Sequence, residues 1–172
     1  SRDTMPTLIR DESAADHDNI AAIVEAAFGQ PQEAALVATL RAQDALAVSL
    51  VAERDKALVG HIAFSPITVE GNPHSLRCLG LAPLAVAPHQ QGRGIGGRLV
   101  QAGLAAAADW DLVFVLGDPA YYERFGFMVA ERHGLKCEYE APAEAFRVFE
   151  LRPGTLAAVN GTARYHAAFA EV

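Results

Sequence analysis

The chain has 172 residues, 51% of them apolar and 20% charged, which suits one globular domain with a sizeable core and excludes a disordered segment. Fourteen Lys and Arg against 21 Asp and Glu leave a net charge of −7, which argues against the basic face of a nucleic-acid-binding domain. No apolar run approaches the ~20 residues that span a bilayer and no signal peptide is visible. The two cysteines, Cys78 and Cys137, have no metal-ligand spacing and imply no disulfide framework; Cys78 reads as a buried thiol. A cytoplasmic protein with no metal, nucleic-acid or membrane partner is expected. Residues 1–172 read as one domain, with residues 1–4 as an expression remnant and Met5 as the natural start.

Residues 7–10 read as a first strand. Residues 16–28 follow a helical period, with Ile20, Ile23, Val24, Ala27 and Phe28 on one face, Ser13 or Asp16 as the cap and Gly29 as the stop. Pro31 can open a second helix that places Leu36, Val37 and Leu40 together. Residues 48–54 and 58–69 form a hairpin joined near Asp55 and Lys56. Alternation then puts Leu58, Ile62 and Phe64 on one face, with His61 and Ser65 on the other. After a turn at Gly71-Asn72-Pro73, residues 75–86 read as the next strand. Pro83 lacks a ladder donor, so an edge or a bulge is expected there, leaving backbone groups for a ligand.

Four glycines then fall within six residues, Gly92, Gly94, Gly96 and Gly97, flanked by Arg93 and Arg98. Each costs a helix roughly 1 kcal/mol relative to alanine. Their use is bare backbone, with N–H groups turned to an anion at a helix N-terminus. Residues 95–108 continue as a largely buried helix, and 111–116 as a short strand broken by Gly117-Asp118-Pro119. Residues 120–125 make at most a short helix, Gly126-Phe127 leads to an extended segment, 146–151 read as a strand and 162–165 as a last short one. The fold class is α/β (α+β), a mixed and mainly antiparallel sheet flanked by helices.

Gly92-x-Gly94-x-x-Gly97 also matches the dinucleotide fingerprint, but that motif normally opens a βαβ unit of a mainly parallel sheet. Here three hairpin-like strands precede it. The run Gln91-Gly92-Arg93-Gly94-Ile95-Gly96 instead resembles the Q/R-x-x-G-x-G/A motif of the GCN5-related N-acetyltransferases (GNAT). Leu84-Ala85-Val86 looks like that family's central strand ending, and Tyr122-Glu123-Arg124-Phe125-Gly126-Phe127 is similar to its Y-x-x-x-G-F motif. Gly60-His61-Ile62, Pro83-Leu84-Ala85-Val86 and Gly117-Asp118-Pro119-Ala120-Tyr121-Tyr122 look more narrowly like the YhbS-like predicted acetyltransferases.

The resemblance implies a GNAT-like fold and acetyl transfer from acetyl-CoA, as co-substrate, to a primary amine by direct attack. Leu84, Ala85 and Val86 would border the pantetheine, and Gln91, Gly92, Arg93, Gly94, Ile95, Gly96 and Gly97 the pyrophosphate. Tyr122, at the motif tyrosine, would also touch the coenzyme and serve as general acid to the departing thiolate, with Tyr121 as its rival. A lysine-like amine of pKa near 10.4 is neutral about once in two thousand at pH 7, so a base or water chain must take its proton. Glu33 stands where the family often borders the acceptor; His61 and His74 are conceivable bases, and His89 lies closer to phosphate than to chemistry. Gly117-Asp118-Pro119 replaces the asparagine that many members carry. The acceptor stays open between small-molecule and peptide amines. The C-terminal third, with Tyr165 and His166, forms either an acceptor wall or a homodimer contact. A non-catalytic acyl-CoA-binding sensor is the alternative reading.

Overall fold

The computed structural model of the chain describes residues 6–172, so residues 1–4 and the expected start at Met5 lie outside the described residues. Strand β1 (Thr7–Asp11) leads through a 3-10 turn at Ala14–Asp16 into helices α1 (His17–Phe28) and α2 (Gln32–Ala42). Three antiparallel strands follow, β2 (Val48–Arg54), β3 (Ala57–Val69) and β4 (Cys78–Val86), and then helix α3 (Ile95–Ala106). The rest comprises β5 (Leu112–Leu116), α4 (Pro119–Glu123), β6 (Met128–Val129), β7 (Leu135–Cys137), β8 (Phe146–Glu150) and β9 (Gly161–Arg164). Along the main sheet the order is β1-β2-β3-β4-β5-β8-β6, with β9 joining β3 and β7. The β4–β5 pair is parallel and its neighbours in the main sheet are antiparallel, as expected of a mixed, mainly antiparallel sheet.

Local signals place most boundaries. Ser13 and Asp16 form a capping box, and Gly29 ends α1 at φ 70°, the left-handed conformation glycine adopts without penalty. Asp55 and Lys56, at φ 50° and 62°, close the β2–β3 hairpin. Pro31 caps α2 from one residue outside it. Strand β7 carries no signal that marks it out in the sequence. The turn before β4 extends to Arg77, so that strand begins three residues after the expected 75.

Two expectations fail for definite reasons. Leu58 does not share a face with Ile62 and Phe64. The β2–β3 register skips Val59, so this bulge moves Val59 onto the α3 side with Ile62 and Phe64 and sends Leu58 to the α1 side. Helix α3 is not largely buried: Ile95, Leu99, Val100 and Gly103 face the sheet, while Gln101, Ala105 and Ala106 form a solvent face. Alanine's small side chain exposes little apolar surface, so an apolar composition overstated the burial.

Helices α1 and α2 cover one face of the sheet, with Ile20, Ile23, Val24 and Val37 against Val51 and Ala85. Helix α3 covers the other over Leu50, Val59, Ile62 and Phe64. A polar pin joins α2 to the sheet. Arg41 donates twice to Glu12, Nε to Oε2 at 2.7 Å and Nη2 to Oε1 at 2.9 Å. Ser49 Oγ donates to the same carboxylate and lies 2.8 Å from His61 Nε2. With the Ser49 proton on Glu12, His61 Nε2 is the donor, and its buried Nδ1 has no partner. Burial tends to raise Glu12, but the bonds from Arg41 and Ser49 outweigh it and hold the carboxyl below its usual value. Burial pushes His61 down to about 4 against the pull of Glu12, so the ring is neutral at pH 7.

Between about pH 6.5 and 4 the unfolded chain therefore carries a proton on His61 that the folded chain does not. Stability should fall as pH drops through this window, with His61 contributing up to about 1.4 kcal/mol per pH unit. Denaturant titrations across it should give a shallower slope for His61→Asn than for the parent chain; equal slopes would contradict this reading.

Candidate active site

The site begins where two strands part. β4 and β5 pair only over Cys78–Leu112, Leu79–Val113 and Gly80–Phe114. Beyond that, β4 stays with β3 as far as Val86, and β5 stays with β8 as far as Leu116. A wedge opens between them. The β3–β4 register skips Ala82 and Pro83, so the expected irregularity at Pro83 is a bulge. Ala87 N–H bonds Val59 O at 2.8 Å, so its backbone faces β3. By alternation the backbone of Val86, and of Leu84 one step earlier, faces the wedge. Ala85 faces the other way: it pairs with His61, is buried against α1 and lies outside the groove lining.

The glycine turn follows the free end of β4 and lines the groove. Gly92 and Gly94 both have φ 80°, and a Cβ on either would meet nothing within 4 Å. These two glycines supply left-handed backbone beside open space. Gly94 is the N-cap of α3; the first N–H groups of a helix have no intrahelical acceptor, and here no side chain caps them. Gln91 Nε2 donates to Val86 O at 3.1 Å, and Arg54 Nη1 to Gln90 Oε1 at 3.2 Å, tying the turn to the sheet. Gly96 and Gly97 do a different job. A Cβ on Gly96 would lie 2.7 Å from Tyr121 Oη and one on Gly97 3.2 Å from Phe125, so both glycines let α4 press against α3. Ile95 is buried under the turn, while Arg93 and Arg98 are exposed. The groove has a volume of about 550 Å³ and is lined by Leu84, Val86, the turn, Tyr121 and Arg124.

Phe28, Leu84 and Tyr121 belong also to a second pocket of about 840 Å³, so the groove and the pocket share a wall. Tyr122, expected as general acid, and Glu33, expected at the acceptor border, both line this pocket. Tyr122 is 9% exposed, edge-on to Tyr121 and Phe127, and its ring sits where a Cβ on Gly117 would lie. Burial, reinforced by Tyr121 and Asp118, pushes its phenol well above the usual value, so it is a neutral donor at pH 7. Tyr121 is raised by burial too. Glu33, in the first turn of α2, accepts from Gln30 Nε2 at 2.9 and 3.0 Å. Asp118 caps α4, accepting from Ala120 and Tyr121 N–H at 3.0 and 3.3 Å.

His61 lies in the buried pin and lines neither cavity, while His74 and His89 are exposed and line neither. Tyr165 forms part of the pocket wall, whereas His166 turns aside to accept Ala168 N–H at 3.0 Å. Tyr139 and Phe169 join that wall without having been singled out in the sequence; neither sits in a motif, and only the fold of the C-terminal third brings them here. Among the described residues no group of three His, Cys, Asp or Glu could hold a metal ion. No helix there is long and apolar enough to cross a membrane.

Residues 8–130 match the model of the acetyltransferase (GNAT) domain. The chain is 39% identical over 165 residues to the Escherichia coli K12 uncharacterized N-acetyltransferase YhbS, covering 94% of this chain and 98% of that protein. The crystal structure of the E. coli YhbS protein in complex with CoA superposes with a TM-score of 0.92 at 37% identity, covering 99% of this chain and 95% of that one. A Brucella melitensis GNAT family acetyltransferase solved with acetyl-CoA gives a TM-score of 0.79 at 37% identity, covering 95% and 98%.

The close approach of Tyr121 Oη to Gly96 is open to a double-mutant cycle. Gly96→Ala should cost about 1–2 kcal/mol by overpacking. In a Tyr121→Phe background, where the hydroxyl is gone, urea titration should show the cost fall by about half or more; strict additivity would contradict the contact.

Proposed function

Because this chain belongs to the GNAT acetyltransferase family, we propose that it transfers an acetyl group from acetyl-CoA to a primary amine by direct attack within the wedge between β4 and β5. The observation that carries the reading is the uncapped N-terminus of α3, opened by Gly92 and Gly94, in a groove that runs along the unpaired side of β4 to a second pocket. Relatives solved with CoA and with acetyl-CoA support the choice of donor.

Acetyl-CoA supplies the activated thioester; the chain's own groups hold and orient it. Backbone N–H groups from Gly92 to Gly97 bind the pyrophosphate, each bond to a charged group contributing about 1.5–3 kcal/mol. The helix dipole adds about 0.3–1 kcal/mol. Arg93 and Arg124 add positive charge at the mouth. Gln91 contributes through the turn, by its bond to Val86 O. Leu84 and Val86 present backbone to the pantetheine amides as a neighbouring strand would, and Ala85 between them anchors that strand to α1.

Tyr122 donates from its phenol to the departing thiolate. Burial makes that phenol a weaker acid, but the same low-dielectric site raises the thiol in parallel, so the two stay matched. Tyr121, with its hydroxyl against Gly96, serves as the wall between groove and pocket. Glu33 attracts the incoming ammonium and takes its proton, directly or through water.

Tyr122→Phe should lower kcat about 100-fold with acetyl-CoA affinity unchanged, in free-thiol release assays with a panel of amines. Gly94→Val, which forces a β-branched residue to φ 80°, should weaken acetyl-CoA binding tenfold or more in calorimetry. Unchanged binding would sink the cradle. Coenzyme binding with no thiol release for any amine would replace catalysis by a sensor.

A further inference from the structure

The acceptor side of the wedge carries a chemical signature of its own. Among the described residues five large apolar side chains stand exposed, and three of them, Phe28 (42%), Leu116 (40%) and Val172 (49%), rim the 840 Å³ pocket. Exposed apolar side chains gathered at one mouth mark a binding surface. Behind them the wall is aromatic: the rings of Tyr139 and Tyr165 lie 5.9 Å apart and those of Tyr165 and Phe169 5.0 Å apart.

Charge in this pocket is sparse. Among the described residues Glu33 and Asp118 are its only acidic side chains, and no Lys or Arg lines it. Asp118 is committed to two N–H groups of α4, whereas Glu33 accepts only from the neutral Gln30 amide, which leaves Glu33 as the side-chain carboxylate for a cation. The further ammonium groups of a polyamine would find no second free side-chain carboxylate, and the hydroxyls of an aminosugar would outnumber the tyrosine hydroxyls of the wall, each unpaired polar group costing binding. One carboxylate among aromatic and aliphatic side chains matches a single ammonium on an apolar body, and ring faces add cation–π attraction.

We propose that the acceptor is a monoamine carried on an aromatic or long-alkyl body, seated between the Tyr139–Tyr165–Phe169 wall and the Phe28–Leu116–Val172 rim; this rests on the acetyl-transfer reading above. A longer acyl chain on the donor would fill the same space but would set hydrocarbon beside Glu33, so the amine is the better occupant.

The test follows free-thiol release by the full chain with acetyl-CoA and n-butylamine, n-hexylamine, n-octylamine, 2-phenylethylamine, spermidine or glucosamine. Acetyl-CoA binding is measured separately by calorimetry. kcat/KM should climb along the alkyl series, by up to about fourfold for each methylene fully buried. 2-Phenylethylamine should exceed spermidine and glucosamine at least tenfold. Leu116→Glu, at an exposed rim position away from the coenzyme groove, should lower kcat/KM for n-octylamine at least tenfold with acetyl-CoA affinity unchanged. A flat alkyl series overturns the proposal, as does a preference for spermidine or glucosamine. So does a gain that appears when octanoyl-CoA replaces acetyl-CoA with n-butylamine held fixed. Those outcomes leave acetyl transfer standing. Failure of acetyl-CoA to bind, or binding without thiol release for any amine, overturns both readings together.

Discussion

The parting of β4 from β5 is the constraint on which the rest of the site depends. A parallel pair that ends after three residues leaves an edge inside the molecule, and buried backbone groups must find partners. β3 on one side and β8 on the other hold the two strands in their separate courses, so the wedge cannot close by sliding them together. An edge kept open in this way presents backbone donors and acceptors at fixed spacing. The uncapped start of α3 adds more donors and a favourable dipole for an anion. Recognition by backbone then needs few distinctive side chains, which is why glycines are the most informative residues in the chain.

Two contacts hold the walls. Gly96 and Gly97 let Tyr121 and Phe125 close onto α3, fixing α4 and hence Tyr122 relative to the turn. Across the wedge, the Arg41–Glu12–Ser49–His61 pin ties α2 to β2 and β3, and α2 carries Glu33 in its first turn. The bland and buried parts of the fold thus set the spacing between the two side chains assigned to proton transfer.

Much of this was legible in the sequence, and the reasons for the rest are physical. Alternation, helical period, the Ser13–Asp16 cap, Gly29 and Pro83 are local signals, and they mark the early elements and an irregularity, an edge or a bulge, in β4. Alternation alone puts Leu58 on the wrong face, because the bulge at Val59 arises from cross-strand register, which one strand's pattern does not contain. The four turn glycines looked alike in the sequence, yet two shape backbone and two admit aromatic rings; only the position of α4 separates them. Ala85 sat in the motif and faces α1, a matter of strand alternation relative to β3. Tyr139, Tyr165 and Phe169 come together through β7, β9 and the last turn of chain, long-range pairings that no spacing announces.

In the proposed mode, backbone amides along β4 and at the start of α3 seat the donor. Amide hydrogen exchange resolved by residue, with and without saturating acetyl-CoA, measures those groups directly. Exchange should slow tenfold or more at Leu84, at Val86 and at residues 94–97, with little change at the exposed ends of β1 and β6. Saturating coenzyme that leaves these amides exchanging at their original rates would contradict it.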